Sequence, residues 1–379
     1  MSAAKESARI YLNLTPGDPA PMFSQSVGGG EAYPFHKTAG RYTVLCFHAT
    51  AADPVGEAAL EAAWQRRALF DGTRCAFFGV SLDRGDDAHA RLRPEQAVFR
   101  DYDGTISRAY GALPRDFDPK DKNVPARRFW MVLDPWLRVL KVFPFEAGGA
   151  ERETVFAYLE GLPPPERSSG VEMQAPVLLL PNVFEPQFCT QLIQLYQKNG
   201  GTESGFMREI GGKTTLVQDP LHKRRRDYSI EDQKIVDETK ARILRRVVPE
   251  IARAFQFNVT RMERFIVACY AADEDGHFNA HRDNTTKGTA HRRFAVSLNL
   301  NDDYEGGELN FPEYGPRTFR PQAGAAVVFS CSLLHRAALV TKGRRYVFLP
   351  FLYDEAAAAI REANNKFLDT SLGQYKTGP

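Results

Sequence analysis

The triplet His281-Arg282-Asp283 and the more distant His335 are the residues whose types and spacing most directly predict metal chemistry. In an extended chain, residues two apart point to the same face, so the imidazole of His281 and the carboxylate of Asp283 should converge. His335 follows a predicted strand and can supply a third ligand. Two histidines and one carboxylate on one face of a cation leave three positions open, an arrangement typical of non-haem Fe(II) sites. We therefore predict a metal site formed by His281, Asp283 and His335.

A second chemical feature is the basic strand that follows these residues, which reads GRRYVFLPFLY. Arg345 alternates with Val347, Leu349 and Phe351, so it should share their face. Those three residues are apolar, which predicts that this face lies inside the protein. A buried guanidinium needs an anionic partner, and a carboxylate matches its forked geometry. The carboxylate of a bound co-substrate would meet that need.

A largely β-structured region must position these side chains. A strand at Val177–Leu180 and a helix at Pro186–Lys198 are predicted first, and a long helix is predicted over roughly Ile230–Phe257. Several β-rich segments separated by Gly, Pro, Asn and Asp follow, namely Arg264–Tyr270, Arg293–Leu300, Glu308–Phe311, Ala325–Ser330 and Arg345–Tyr353. Helices followed by many short strands predict an α+β domain whose core is a double-stranded β-helix, or jelly roll, with flanking helices.

Three stretches of this region together resemble the prolyl 4-hydroxylase branch of the 2-oxoglutarate oxygenases: CYAADEDGHFNAHRD, EGGELNFPEYGPRTFRPQAGAAVVFS and HRAALVTKGRRYVF. The resemblance covers about residues 176–353. It implies that the three predicted ligands bind Fe(II) and that Arg345 pairs with the tail carboxylate of 2-oxoglutarate, with Arg344 as the alternative. It also implies that Tyr270 hydrogen-bonds the same carboxylate. No catalytic residue is expected beyond the metal ligands.

The activity implied by the resemblance is the hydroxylation of a C–H bond at the expense of 2-oxoglutarate and O2, with release of succinate and CO2 and with ascorbate as a candidate reductant. The leading candidate substrate is a proline in a peptide or protein, and the alternative is a small molecule or free amino acid. Two hypotheses belong to other classes: a non-catalytic protein that only binds partners, and a thiol peroxidase that acts through the N-terminal part. Succinate release that depends on iron and 2-oxoglutarate separates the first hypothesis from these two.

A basic segment, LHKRRRD at Leu221–Asp227, is open to more than one interpretation. Lysine and arginine runs can contact a nucleic-acid backbone, but the formal net charge of +2 does not favour nucleic acid as a partner. The stretch RRDYSI resembles the loop that closes over the peptide in prolyl hydroxylases, which implies that Arg225 and Asp227 contact substrate. His277 lies near the triplet, but we interpret it as a residue of the site mouth or surface.

The first part of the chain alternates between strands and helices. Strands are predicted at Tyr42–Phe47 and Cys75–Ser81, with a helix at Ala58–Phe70 between them. A hairpin with an Asp-Pro turn and a closing helix follow, at Phe129–Leu133 with Val139–Val142 and at Glu153–Leu162. This order predicts a three-layer α/β domain.

The segments LTPGDPAPMFS, VFRDYDGTISRAYGAL and RRFWMVLDPWLRVLKVF resemble peroxiredoxins of the thioredoxin fold, over most of residues 12–160. That family carries a peroxidatic cysteine near a helix N-terminus after the strand that here ends in FHAT, where its thiolate is stabilised. This chain reads AADPVGE there, and Cys46 and Cys75 lie in predicted strands. We therefore expect the usual catalytic cysteine to be missing. The expected role of this domain is a scaffold, a homodimerisation surface or a substrate platform.

Length and composition fit these two domains. The 379 residues exceed the usual size of a single core, and 43% hydrophobic with 25% charged residues is ordinary for a globular protein. The proline-rich stretch GLPPPERSSGVEMQ predicts domains at residues 1–165 and 176–379, joined by a linker at 166–175. Five scattered cysteines argue against disulfides. With no apolar run of about 20 residues and no signal-like N-terminus, no membrane contact is predicted and a cytoplasmic location is expected.

Overall fold

The structure is a computed structural model of this chain, and it describes residues 9–27, 32–88, 97–120 and 125–376. The expectation about a signal segment rests partly on residues 1–8, which lie outside the described residues. Contacts divide the chain into Met1–Gln174 with Glu313–Gly315, called here the N-terminal domain, and Ala175–Pro312 with Pro316–Pro379, called the C-terminal domain. In the described ranges, no helix combines the length and apolarity needed to cross a lipid bilayer.

The N-terminal domain is built on a five-stranded sheet with the order β5-β4-β3-β6-β7. Strand β3 pairs in parallel with β4 and antiparallel with β6, and the β6–β7 hairpin closes one edge. The strands of this domain are β1 Ser24–Ser26, β2 Ala32–Pro34, β3 Tyr42–Ala49, β4 Cys75–Ser81, β5 Val98–Arg100, β6 Phe129–Leu133 and β7 Val139–Pro144. The helices are α1 Pro54–Gln65, α2 Thr105–Ala109 and α3 Glu151–Glu160.

Helices cover both faces of this sheet. One face packs Val44 and Trp130 against residues of α1 and α3 such as Ala59 and Phe156. On the other face, Phe47 contacts Tyr110, the residue that ends α2, with ring centres 5.4 Å apart. The three-layer α/β architecture of the thioredoxin fold is confirmed. All five cysteines of the chain are free and buried, as expected.

Gly56, in the first turn of α1, lies against the backbone of the loop that precedes the helix. A Cβ atom at this position would lie 1.8 Å from the carbonyl oxygen of Thr50. A backbone carbonyl cannot move aside as the end of a flexible side chain can, so no larger residue fits here without a shift of the helix.

We expect Gly56→Ala to lower the free energy of unfolding of the N-terminal domain by about 3 kcal/mol, the upper end of the usual cost of overpacking. Gly161→Ala is the matched control, because its Cβ would meet only ordinary contacts beginning at 3.5 Å. Urea denaturation of the full chain can be followed by tryptophan fluorescence, since every tryptophan lies in this domain, at Trp64, Trp130 and Trp136. Equal stability of the two variants would contradict the predicted clash.

The C-terminal domain combines helices with many short strands. Its helices are α4 Pro186–Asn199, α5 Gln233–Arg246, α6 Val248–Phe255 and α7 Glu355–Ala363. Its strands are β8 Leu178–Leu180, β9 Thr202–Glu203, β10 Phe206–Ile210, β11 Lys213–Val217, β12 Lys223–Arg224, β13 Arg226–Ser229, β14 Arg261–Glu263, β15 Ile266–Ala271, β16 His277–His281, β17 Phe294–Asn299, β18 Glu305–Gly306, β19 Leu309–Asn310, β20 Thr318–Phe319, β21 Ala326–Ser330, β22 His335–Ala337, β23 Val340–Lys342, β24 Arg344–Phe348 and β25 Phe351–Tyr353.

Two antiparallel sheets form the frame of this domain. The major sheet has the order β14-β25-β17-β24-β15-β13-β9, with β21 joining β17 to β8, and the minor sheet has the order β12-β16-β22-β19-β20. Tyr270 and Val347 of the major sheet share one apolar cluster with Phe278 and Ala337 of the minor sheet. The two sheets therefore pack face to face, as in the predicted jelly roll. Residues of α4 to α6 bury the opposite face of the major sheet.

Two predicted elements are each divided into two in the structure, and a proline explains each division. The predicted helix over Ile230–Phe257 is two helices, α5 and α6, because Pro249 in the first turn of α6 has no N–H and its ring crowds the preceding turn. The predicted strand Arg345–Tyr353 is likewise divided into β24 and β25 at Pro350, which cannot donate to a strand ladder. Phe351 therefore lies on a different strand from Arg345.

Candidate metal centre

Strand pairing brings the three predicted metal ligands together. His281 ends β16 and His335 begins β22, and the two residues stand directly opposite each other in the antiparallel pair. The Nε2 atom of His281 lies 3.5 Å from Asp283 Oδ1, and that of His335 lies 3.3 Å from Asp283 Oδ2. One candidate ligand atom from each of the three residues lies within 4.8 Å of the others. The expectation that the triplet's imidazole and carboxylate converge is thus met.

The second nitrogen of each imidazole ring is held by the backbone. Nδ1 of His281 lies 2.7 Å from the carbonyl oxygen of Asn279, and Nδ1 of His335 lies 3.0 Å from that of Leu333. A carbonyl only accepts, so each Nδ1 carries the proton and each Nε2 presents its lone pair toward Asp283. This arrangement is the one that metal-binding histidines adopt. The donor set, two neutral imidazoles and one carboxylate, therefore fits a divalent cation such as Fe(II).

The protonation of the cluster also suits a cation. Burial, followed by the neighbouring His335, lowers the pKa of His281 to about 4, which keeps the ring neutral at pH 7. Burial would raise the pKa of Asp283, but His335 and His281 hold it well below its usual range, so the carboxylate is ionised. The neutral ring of His281 and the ionised carboxylate of Asp283 are therefore both able to bind a cation.

Backbone and ionic contacts fix Asp283 beyond the end of β16. Its N–H donates to the carbonyl oxygen of Cys331 at 3.0 Å. Arg292 donates to the Asp283 carbonyl oxygen at 3.4 Å and, through Nε, to the buried carboxylate of Glu263 at 2.8 Å. Arg361 of α7 also reaches Glu263, at 2.7 Å. Glu263 therefore links the C-terminal helix to the segment that carries the carboxylate ligand.

We expect Glu263→Gln to destabilise the C-terminal domain by roughly 3 kcal/mol at pH 7, because it removes the buried carboxylate shared by two partly buried guanidinium groups. Although burial alone would raise it, Arg292 and then His291 hold the pKa of Glu263 well below its usual range. The stabilisation is therefore complete above the unfolded-state pKa of about 4.3 and declines as the pH falls toward the folded-state value. The difference in the free energy of unfolding between variant and wild type should therefore become smaller below about pH 4.

Hydrogen exchange of β14 and β15 amides in the full chain measures this stability at pH 7 and at acidic pH. Glu250→Gln serves as control, since Glu250 pairs with the largely exposed Arg253 and should cost no more than about 0.5 kcal/mol. If the destabilisation caused by Glu263→Gln became larger as the pH falls, the predicted pH dependence would be wrong.

Arg345 lies buried on the major sheet and has neutral partners. The residue is 3% exposed, and Nη2 donates to Ser297 Oγ at 2.9 Å and to Asn299 Oδ1 at 3.1 Å. Within the described residues, no carboxylate lies within the 4.0 Å ion-pair distance of its guanidinium. Tyr270 stands directly opposite Arg345 on β15, and its ring centre is 5.6 Å from Cζ. A buried cation held only by neutral groups can accept an anionic ligand.

The other predicted site residues occupy different environments. Arg344 is 43% exposed and pairs with Asp273 at 2.6 Å, so it points away from the interior. Arg225 and Asp227 are paired with each other, and Arg225 also donates to the Tyr270 hydroxyl at 3.3 Å. Their predicted contact with substrate remains a prediction. His277 is half-buried and bonds backbone carbonyls outside the metal cluster, as interpreted from the sequence.

Sequence reasoning missed the residues that support these groups. Ser297 and Asn299 hold Arg345, and their signal is two polar residues spaced by two in an otherwise apolar strand, FAVSLN. Phe278 stacks on His281, with ring centres 3.5 Å apart. The tertiary role of Glu263 has no local signal, because its partners come from other parts of the chain.

Comparison with known families agrees with both domains. Residues 265–353 match the 2OG-Fe(II) oxygenase superfamily, and residues 16–141 match the AhpC/TSA family. The N-terminal domain is thus similar to the AhpC/TSA family, and the C-terminal domain is similar to the 2OG-Fe(II) oxygenase superfamily. The second family implies Fe(II) as cofactor and 2-oxoglutarate as co-substrate. A search of curated proteins finds no significant match.

Several solved structures are similar to parts of the chain. A prolyl hydroxylase from Trichoplax adhaerens, in complex with a hypoxia inducible factor oxygen degradation domain peptide fragment, is 18% identical over 49% of this chain and 87% of its own, with a TM-score of 0.38. A prolyl-4-hydroxylase from Pseudomonas putida is 14% identical over 48% and 94%, with a TM-score of 0.38. Peroxidoxin BcpB from Mycobacterium tuberculosis is 22% identical over 40% and 99%, with a TM-score of 0.34.

The first turn of α1, where the peroxiredoxin resemblance places a reactive cysteine, holds a carboxylate instead. Asp53 caps the helix by accepting from the N–H groups of Val55 and Gly56, and it pairs with Arg128 through both guanidinium Nη atoms. Burial raises the pKa of Cys75 to about 12, and it also raises that of Cys46 well above its usual range. Burial therefore disfavours the thiolate, which is the nucleophilic form, at both cysteines.

Proposed function

We propose that the C-terminal domain is an Fe(II)- and 2-oxoglutarate-dependent hydroxylase that uses His281, Asp283 and His335 as its metal ligands. The observation that carries this proposal is the convergence of both Nε2 atoms on Asp283 while backbone carbonyls hold both Nδ1 atoms. Three unrelated surface residues would not share this geometry together with a buried Arg345 that has only neutral partners among the described residues.

Bound iron would supply the oxidative chemistry, in which 2-oxoglutarate and O2 become succinate and CO2 and one oxygen atom enters a C–H bond of the substrate. The chain itself positions the groups. Arg345 would bind the distal carboxylate of 2-oxoglutarate with its forked guanidinium, and Tyr270 would donate its hydroxyl proton to the same carboxylate. The apolar cluster around Val347 and Phe278 would keep water from the space between the sheets.

As substrate we propose a proline within a peptide or protein, with a small molecule or free amino acid as the alternative. The resemblance of three ordered segments to the prolyl 4-hydroxylase branch supports this choice. Arg225 and Asp227 would then lie beside the substrate, where their mutual ion pair fixes their geometry before binding.

Succinate release measured with Fe(II), 2-oxoglutarate and O2 tests the activity. Proline-containing peptides and free proline are compared as stimulants, and the product is examined by mass spectrometry for one added oxygen atom. Stimulation by the peptides with oxygen incorporated at proline supports the proposed substrate, whereas stimulation by free proline alone favours the alternative. Absence of iron-dependent succinate release under all conditions would favour a protein that only binds partners.

We infer that the N-terminal domain serves the hydroxylase as scaffold or substrate platform and does not act as a thiol peroxidase. The Asp53–Arg128 pair at the start of α1 supports this inference, since a carboxylate already occupies the anion-favouring end of the helix. A Cys46→Ser, Cys75→Ser double variant should keep full 2-oxoglutarate turnover. Reduction of hydrogen peroxide that the wild type performs and the double variant loses would overturn the inference.

A further inference from the structure

Two guanidinium groups contact the Asp227 carboxylate close to the candidate metal centre, and a lysine ammonium lies nearby; we call Lys223, Arg225 and Arg264 the basic cluster. Arg225 donates to both oxygens of Asp227, each at 2.7 Å. Arg264 reaches the same carboxylate only at 3.4 Å. Ser204 donates its hydroxyl proton to Asp227 as well, at 2.6 Å. A single carboxylate can balance only one of the two guanidinium groups, so positive charge is left in excess.

Lys223 adds a third basic group in a buried position. The residue is 5% exposed, and Nζ donates to Ser204 Oγ at 2.8 Å and to the carbonyl oxygen of Gly205 at 2.5 Å. For the part of the chain that the structure describes, no carboxylate lies within 4.0 Å of Nζ. Burial, followed by Arg225, lowers the pKa of Lys223 well below its usual range. A bound anion would relieve this cost.

Arg264 is held in a strained conformation. Its φ is 66°, in the left-handed region that residues other than glycine rarely adopt and that functional sites tolerate. Its side chain is 27% exposed, and Asp227 is its single hydrogen-bond acceptor among the described residues. Burial and Arg225 together lower its pKa to about 10. The guanidinium therefore retains donors that a ligand can use.

The basic cluster lies close to the metal ligands, with one aromatic ring in contact with both. The Phe278 ring lies between Lys223 and His281, with its centre 4.9 Å from Lys223 Nζ and 3.5 Å from the centre of the His281 ring. Arg225 contacts the hydroxyl of Tyr270, the residue that stands opposite Arg345. The basic cluster thus lies close to the reaction centre, while Arg345 provides a separate guanidinium for the co-substrate.

We propose that Lys223 and Arg264, together with Arg225, form a subsite that binds a carboxylate of the substrate, from an aspartate or glutamate side chain near the hydroxylated residue. The inference rests on the proposed hydroxylase function and deepens it by defining the substrate as an acidic polypeptide segment. The guanidinium of Arg264, which has one acceptor among the described residues, matches the geometry of a carboxylate, and Lys223 and Arg225 add positive charge beside it. A neutral substrate would leave the excess positive charge without a partner, which selects against it.

Two synthetic peptides of equal length test the subsite: each contains one proline, which is flanked by glutamate in one peptide and by glutamine in the other. The dissociation constant of each is measured by fluorescence anisotropy on the full chain loaded with Mn(II) and 2-oxoglutarate under nitrogen. We expect the wild type to bind the acidic peptide at least tenfold more tightly. Arg264→Gln and Lys223→Met should each reduce that preference to below threefold, and Arg264→Lys should retain part of it.

Arg224→Gln is the matched control, because it removes the same charge from the adjacent strand residue, which pairs with Asp275 on the outside. It should keep the full preference. The subsite proposal is wrong if the wild type binds the two peptides equally or binds neither. It is also wrong if Arg264→Gln and Lys223→Met both keep the preference for the acidic peptide. Succinate release on the same preparations separates the two proposals. If both peptides were hydroxylated equally well, the hydroxylase would stand and the anion subsite alone would fail.

Discussion

His281→Ala should abolish iron-dependent succinate release, with a loss of at least about 10³-fold, which corresponds to about 4 kcal/mol of transition-state stabilisation. The reason is that His281 supplies one of three ligand atoms, and its Nε2 lies 3.5 Å from the Asp283 carboxylate. Asp283 and His335 would then supply only two of the three protein ligands, so the iron would be bound weakly. Iron bound per chain, measured by elemental analysis after desalting, should fall in parallel with turnover.

His277→Ala is the control for this experiment. His277 begins the same strand, but its ring nitrogens bond the carbonyl oxygens of Asp275 and Leu221, outside the cluster of ligand atoms. Turnover and iron content should remain within about threefold of wild type, a change of less than about 1 kcal/mol. If His281→Ala retained one iron per chain and full turnover, the assignment of the metal centre would be wrong.

Arg345→Gln should weaken the binding of 2-oxoglutarate about 100-fold, equal to about 2.7 kcal/mol, which is the expected range for losing charge-assisted hydrogen bonds to a carboxylate. The metal content should not change, because Arg345 lies on the major sheet and the metal ligands belong to the minor sheet and its extension. Titration of 2-oxoglutarate into the Mn(II)-loaded protein under nitrogen measures this affinity directly, independently of any substrate.

Arg344→Gln removes the same charge from the neighbouring residue, whose side chain is 43% exposed and pairs with Asp273. The affinity of Arg344→Gln for 2-oxoglutarate should stay within about twofold of the wild-type value. The reverse outcome, a large loss in Arg344→Gln and none in Arg345→Gln, would show that strand alternation had been assigned to the wrong arginine.

Predictions that rest on neighbouring residues agree well with the structure. The convergence of His281 and Asp283 and the burial of Arg345 follow from the two-residue repeat of extended chain. The division of the predicted helix and of the predicted strand was not expected. Both divisions nevertheless have local causes in the sequence, namely Pro249 and Pro350. The absence of cysteine from residues 51–56, AADPVG, can likewise be read directly from the sequence.

Predictions about polar side chains that need distant partners were incomplete. The expected contact of Arg225 and Asp227 with substrate stays a prediction, and the structure adds that each is the main ionic partner of the other. Lys223 belongs to a run of basic residues that is typical of an exposed loop, yet it is buried because β12 pairs with β16 and places it over Phe278. Arg264 gave no sequence signal for its left-handed backbone.

The amino-acid sequence by itself determined which donor atoms are available, in what order they occur, and which of them share a strand face, because these properties depend on residue type and local periodicity. The tertiary structure alone decided that His281 faces His335, that Ser297 and Asn299 hold Arg345, and that two guanidinium groups share one carboxylate. Those contacts depend on the register of strands that are distant in the chain. A slip of one residue would turn every side chain to the opposite face, so the register is fixed by how the apolar faces of both strands are buried against the rest of the domain.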